Sequence, residues 1–118
     1  MPDSGLFIGW GQVVRGREGQ AVDSFNGTVG YLGQLQGDGR IEDFELCFLE
    51  PHGGDLSGFM LLRGSAEQIE AVRRDEEFER HMLRADLVVE NLGLISAVLG
   101  ERIAQQMALY QEEIGAIA

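Results

Sequence analysis

The stretch Ile41-Glu42-Asp43-Phe44-Glu45-Leu46-Cys47-Phe48-Leu49-Glu50 is the clearest strand in this chain. Alternation puts Phe44, Leu46 and Phe48 on one side and Ile41, Asp43, Glu45, Cys47 and Leu49 on the other. Turn chemistry follows at once in Pro51-His52-Gly53-Gly54-Asp55, and Gly58 to Arg63 then reads as a second strand. Two strands joined this way predict an antiparallel hairpin.

Working outward, Leu6 to Val14 reads as a first strand. Arg17 to Gln36 then carries Ala21, Phe25, Val29, Leu32 and Leu35 near helical spacing. Gly27, Gly30 and Gly33 fall three apart on that helix and predict close packing against a neighbour. Gly37-Asp38-Gly39 ends it. Beyond the hairpin, Ser65-Ala66-Glu67-Gln68 fits a capping box opening a helix with Ala66, Ile69 and Val72. Its phase breaks near Asp75, where a second short helix with Phe78, Met82 and Ala85 begins. Leu87 to Val98, including Asn91 and Gly93, reads as a fourth strand ended by Gly100. From Glu101 a last helix presents Ile103, Met107, Tyr110 and Ile114 on one face, at steps of four, three and four. The order β-α-β-β-α-β-α predicts a single α+β domain over residues 1–118. Its arrangement is ferredoxin-like, βαββαβ with an extra C-terminal helix.

In such a fold one sheet face packs on helices and the other meets water. Here both sides of several strands are apolar: Leu6, Ile8, Trp10 and Val14 against Phe7 and Val13, and Phe59 and Leu61 against Met60 and Leu62. Strands apolar on both sides need both sides covered, and a second copy, sheet to sheet in a two-fold homodimer, is the economical cover.

With that element order, and with Asp75-Glu76-Glu77-Phe78 leading through Arg84-Ala85-Asp86-Leu87-Val88-Val89-Glu90-Asn91-Leu92-Gly93, the chain resembles the dimeric α/β-barrel superfamily over nearly its whole length. The resemblance is to small uncharacterised members, related in fold to cofactor-independent monooxygenases and muconolactone-isomerase-like proteins. It implies a dimeric barrel and leaves activity open, because fold does not settle function. The histidine–aspartate pair near the first strand and helix of the isomerase relatives has no counterpart, since the histidines here are His52 and His81. The Asn, Trp and His constellation of the haem-degrading branch does not match the spacing of Asn26, Asn91, Trp10, His52 and His81.

Composition narrows the function classes. A net charge of −11 repels phosphate backbones, so nucleic acid is not expected as a partner. All nine basic residues are arginine, which fits either bidentate anion binding or a biased codon usage. No apolar run is long enough for a membrane helix, no basic segment precedes the short apolar stretch near Met1, and Cys47 is the sole cysteine. The expectation is a cytoplasmic protein in a reducing compartment.

Candidate chemistry is sparse. His81, in Glu79-Arg80-His81-Met82, has the ordinary pKa range of a general base, but a histidine on a helix face crowded with Glu and Arg is more often a solvated surface residue. His52 reads as turn decoration. Asp43 and Glu45 share one face of a strand that reads as central in the sheet, about 7 Å apart. In a dimer cavity they would be paired acids, with Glu45 a second candidate base; in water they would only aid solubility. Trp10 is a candidate cavity wall, and Asp43, Cys47, Arg63 and Asn91 are candidate ligand contacts, although Trp10 and Cys47 also suit plain core packing. Glu76, Glu77, Arg80 and Arg84 read as helix-face ion pairs. No metal spacing, P-loop or dinucleotide fingerprint appears, so neither metal nor cofactor is expected. Two functions fit: a homodimeric barrel binding a small, partly apolar molecule, as a cofactor-independent oxygenase or isomerase, or a non-enzymatic ligand sensor or accessory dimerisation domain.

Overall fold

A computed structural model describes Pro2 to Ile117. The elements run β1 (Ser4–Trp10), α1 (Glu18–Gly37), β2 (Asp43–Phe48), β3 (Gly58–Gly64), α2 (Ala66–Arg74), α3 (Glu76–Asp86), β4 (Gly93–Val98) and α4 (Glu101–Ile117). The strands form one sheet in the order β2-β3-β1-β4, antiparallel at every join. This is the α+β ferredoxin-like arrangement with an added C-terminal helix.

Register explains how the sheet divides its residues. Leu6 stands opposite Leu62 and Ser96, Ile8 opposite Met60 and Leu94, and Leu62 in turn opposite Phe44. These even-numbered positions face α1, α2 and α3, and Leu6, Ile8, Met60 and Leu62 join Leu32, Leu35, Ile69, Val72 and Phe78 in the core. Ile69 and Val72 lie three apart on α2, so the stripe read from the sequence is the buried one. The capping box is present: the Ser65 hydroxyl accepts from the Gln68 backbone N–H at 3.1 Å, and Gln68 Oε1 accepts from the Ser65 N–H at 2.8 Å. Asp75 is both the last cap of α2 and the N-cap of α3, its carboxylate accepting from the Glu77 N–H at 3.0 Å. The phase break in the sequence is this shared cap.

Several expectations change. β2 is an edge strand, not a central one, because β3 pairs with both β2 and β1 and leaves the far side of β2 open. Its carboxylates Asp43 and Glu45 suit an edge, where charge discourages pairing with another chain. Ile41 lies before β2 and is fully buried; the Arg40 and Ile41 amides turn toward the Leu35 carbonyl, so this side chain belongs to the core. The fourth strand begins at Gly93, not Leu87. The Leu87, Val88 and Val89 amides bond back to carbonyls of α3, and Asn91 turns the chain with a φ of 57°. Gly11 to Val14 does not continue β1 but pairs with Val88 to Glu90, including a Val13–Val89 bridge. A Cβ at Gly30 or Gly33 would meet nothing within 4 Å, so these glycines do not mediate close packing.

The last helix differs from the rest. No residue of α4 is buried, and Ile103, Met107, Tyr110 and Ile114 stand open to solvent. The radius of gyration is 16.5 Å. A compact chain of this length would have about 13.5 Å, and the projecting helix accounts for the excess.

Candidate functional site

The sequence-derived candidates divide between the two sides of the sheet. On the side away from α1, α2 and α3, Gly5 stands opposite Arg63 and Arg63 opposite Asp43; Phe7 stands opposite Leu61 and Leu61 opposite Glu45; Gly9 stands opposite Phe59 and Phe59 opposite Cys47. Asp43, Glu45, Cys47 and Arg63 are therefore brought together. Arg63 reaches Asp43 at 3.2 Å and Glu45 at 3.7 Å. The two carboxylates share one guanidinium and form an ion cluster, not a pair of facing acids. At half-exposed positions such pairs contribute about 0–1 kcal/mol each. Phe7 stacks on Phe59 at 5.0 Å beside them, and Ile95, opposite Phe7 on β4, is 59% exposed.

Trp10 lies on the other side, at the end of β1. Its ring stands over Gly58, where a Cβ would come within 2.7 Å of the indole, so only glycine admits it there. Phe25 and Phe48 meet Trp10 edge-on at 6.2 Å. Asn91 is in the turn before β4, exposed, with its amide beside Gly11. His52 organises its own loop, Nε2 lying 2.7 Å from the Leu56 carbonyl and Nδ1 accepting from the Gly54 N–H at 3.2 Å.

His81 is not solvated. It is 8% exposed, in the seam between α1 and α3, and its ring stacks on Tyr31 at 4.8 Å. Position 81 falls three after Phe78 and next to Met82, which places it on the buried stripe of α3. Burial first, and then the Arg84 guanidinium, hold the imidazole pKa below its usual value, against a weaker pull from Glu77. The Glu77 carboxylate is 3.9 Å away. At neutral pH the ring is therefore a neutral group able to accept a proton. Tyr31 is fixed from behind: its hydroxyl donates to Asp75 at 3.0 Å, and Arg40 pairs with the same carboxylate at 2.6 Å. Burial, with that hydrogen bond, pushes the Tyr31 phenol well up, while Arg40 and the Glu77 N–H hold Asp75 down. His81 and Glu45 thus lie on opposite sides of the sheet and cannot act on one small molecule within a chain.

A cleft of about 560 Å³ opens beside His81, lined by Arg17, Asp23, Ser24, Gly27, Arg84 and Val88 among others. Ser24 and Val88 also line a narrower pocket of about 50 Å³, together with Trp10 and Met60. A Cβ at Gly27 would sit 3.8 Å from the His81 ring, so this glycine keeps the cleft wall open. Of the charges on α3, Glu76 pairs with Arg80 at 2.6 Å, whereas Arg84 faces the cleft without a carboxylate partner among the described residues. Sequence reasoning found His81 and Trp10 but missed Arg17, Asp23, Ser24 and Arg84. The one local signal was that Arg84 has Arg80 and His81, and no carboxylate, four and three positions before it on α3. Among the described residues, no group of three or more His, Cys, Asp or Glu converges to hold a metal, and no helix is long and apolar enough to cross a membrane.

No family model matches this chain, and no curated protein matches it. Solved structures do. A dimeric ferredoxin-like protein of unknown function from Jannaschia sp. CCS1 superposes with a TM-score of 0.61 at 12% identity, over 82% of this chain and 97% of that one. A dimeric protein of unknown function and ferredoxin-like fold from Bacteroides fragilis NCTC 9343 gives 0.59 at 8% identity, over 81% and 96%. SnoaB, a cofactor-independent oxygenase from Streptomyces nogalater, gives 0.50 at 14% identity, over 83% and 96%. At these identities the likeness is one of fold. It relates the chain to ferredoxin-like proteins that include dimers and an oxygenase.

Proposed function

We propose that this chain works as a cytoplasmic homodimer that binds one small, partly apolar molecule per subunit in the cleft between α1 and α3. One observation carries the binding site: the cleft beside a buried, neutral His81 shares Ser24 and Val88 with a narrower apolar pocket lined in part by Trp10. Concave, mostly apolar space with a few placed polar groups is what small-molecule sites consist of. The dimer rests on the row Ile95, Phe7, Leu61 across the uncovered sheet face, on the exposed stripe of α4, and on the dimeric state of two proteins of the same fold.

In the catalytic version the reaction is a cofactor-independent oxygenation or isomerisation, started when His81 Nε2 takes a proton from the bound molecule. Trp10 is the far wall. Glu45 is the weaker candidate base, because Arg63 already holds it on the opposite face. Asp43, Cys47 and Arg63 then belong to the dimer face, and Asn91 shapes the turn below Trp10. The second reading, an accessory dimerisation domain without catalysis, draws on α4, which is exposed along its whole length.

The test is binding of a neutral apolar probe, N-phenyl-1-naphthylamine, followed by quenching of Trp10, the only tryptophan. Native mass spectrometry of the same sample reads the assembly. The expected result is a dimer that binds the probe, with binding lost in Gly27→Leu, which fills the cleft at a helical position where leucine is favoured over glycine. A monomer overturns the dimer, and a Gly27→Leu dimer that still quenches as wild type overturns the site.

A further inference from the structure

This chain holds twenty acidic residues and nine arginines. Arg40, Arg63, Arg74 and Arg80 are ion-paired. Arg15, Arg17, Arg73, Arg84 and Arg102 are not, among the described residues, and of these Arg17 and Arg84 both line the α1–α3 cleft. They come from well-separated parts of the sequence, Arg17 from the N-terminal cap of α1 and Arg84 from the last turn of α3. One Arg17 N–H donates to the Leu87 carbonyl, which ties the side chain to the cleft rim and leaves its other donors free. Arg84 stands near enough to His81 to bear on its protonation. Asp23 is the one carboxylate in the lining. With His81 neutral, the formal charge of the cleft is one positive in a molecule whose overall charge is −11.

We infer that this cleft selects an organic anion, with a carboxylate or phenolate oxygen held by the Arg17 and Arg84 guanidiniums and the apolar body lying over Leu87 and Val88 toward Trp10. The inference rests on the reading of the cleft as the binding site and adds the chemical class of its ligand. The reason is one of charge and surroundings. The protein as a whole repels anions, so two unpaired guanidiniums beside an apolar pocket gain most from a ligand that supplies the missing negative charge. An anion there receives charge-assisted hydrogen bonds from fork-shaped donors. A neutral ligand of the same shape leaves those donors to water. Asp23, on the same wall, disfavours ligands with more than one negative charge.

Two probes with the same apolar body separate the ideas: 8-anilinonaphthalene-1-sulfonate, which is anionic, and N-phenyl-1-naphthylamine, which is neutral. Their dissociation constants are measured on the full chain by probe fluorescence, for wild type, Arg84→Gln, Arg17→Gln and Gly27→Leu, with circular dichroism confirming that each variant folds. The expected result is that Gly27→Leu abolishes both, and that each arginine variant weakens the anionic probe by about tenfold while leaving the neutral one unchanged. If Gly27→Leu abolishes both but the arginine variants treat the two probes alike, the anion selectivity is overturned and the apolar site stands. If Gly27→Leu leaves both unchanged, the site itself is overturned. If added salt at constant pH weakens the anionic probe in wild type and Arg84→Gln equally, the attraction is not local to the cleft, and the inference fails in that way too.

Discussion

The two faces of this sheet are built from neighbouring residues of the same strands, yet they have opposite fates. On the helical side Leu6 and Leu62 are completely enclosed, and the polar groups beside them are few and partnered. On the other side Phe7 and Leu61, one residue away along each strand, are only partly covered, and Ile95 stands open. Strand pleating makes this possible, since adjacent residues point opposite ways. The first face is completed by the chain itself. The second is left uncovered by the chain itself, and it carries the ion cluster of Arg63, Asp43 and Glu45 at its edge, where charge can stay wet. The comparison teaches that apolar character alone does not mark a buried position in this sheet, and that parity along the strand tells which residues the chain's own helices cover.

That comparison can be broken first where it is strongest. Leu62→Ala removes a side chain enclosed by β1, β2 and the helices, and it should cost about 2–5 kcal/mol in urea unfolding. Leu61→Ala, measured below the dimer dissociation constant, should cost well under half as much. Equal costs would mean that the two faces are equally buried in one chain.

A sharper form puts a charge on the open face. Leu61→Glu should raise the dimer dissociation constant by about a hundredfold in sedimentation equilibrium, because an unpaired carboxylate would face the apolar row of the partner. The monomer should keep its far-ultraviolet circular dichroism. A variant that stays dimeric would place the dimer surface elsewhere.

The smallest effect concerns acid. His81 has a folded pKa below its unfolded value, so the unfolded chain binds the proton more readily. Stability from the neutral ring is complete above the unfolded value of about 6.5 and is lost as pH falls through the folded one. Asp75 adds a separate loss at lower pH, below its ordinary value of 3.8, because Arg40 and the Glu77 N–H favour its ionised form. Urea midpoints should therefore fall between pH 7.5 and 5.5 in wild type and stay level over that interval in His81→Asn, while both fall further below pH 4. The groups facing His81 are Tyr31, Glu77 and Arg84. A His81→Asn protein with the wild-type slope would assign it to another group.

Local chemistry was legible from the residues alone. Alternation at Phe44, Leu46 and Phe48, the Ser65–Gln68 capping box, the stop at Gly37-Asp38-Gly39 and the stripe on α4 each depend on residues within one turn or one strand. Element order and the ferredoxin-like arrangement follow from them. The lone Trp10 and His81 were visible as candidates because their side chains are chemically distinctive. What the residues could not reveal was anything set by which strand lies beside which. Hydrophobic alternation is the same for an edge and a central strand when both have one covered face, so β2 was misplaced until its pairing with β3 alone was seen. The burial of His81 is decided by α1, whose Tyr31 is fifty positions earlier in the chain, and no local pattern carries that distance. Arg17 and Arg84 line one cleft only because two helices pack side by side with Gly27 between them. Sequence determines which faces are apolar, through periodicities that repeat over a few residues; tertiary packing decides which of those faces the chain covers itself, because that depends on contacts between residues far apart along it.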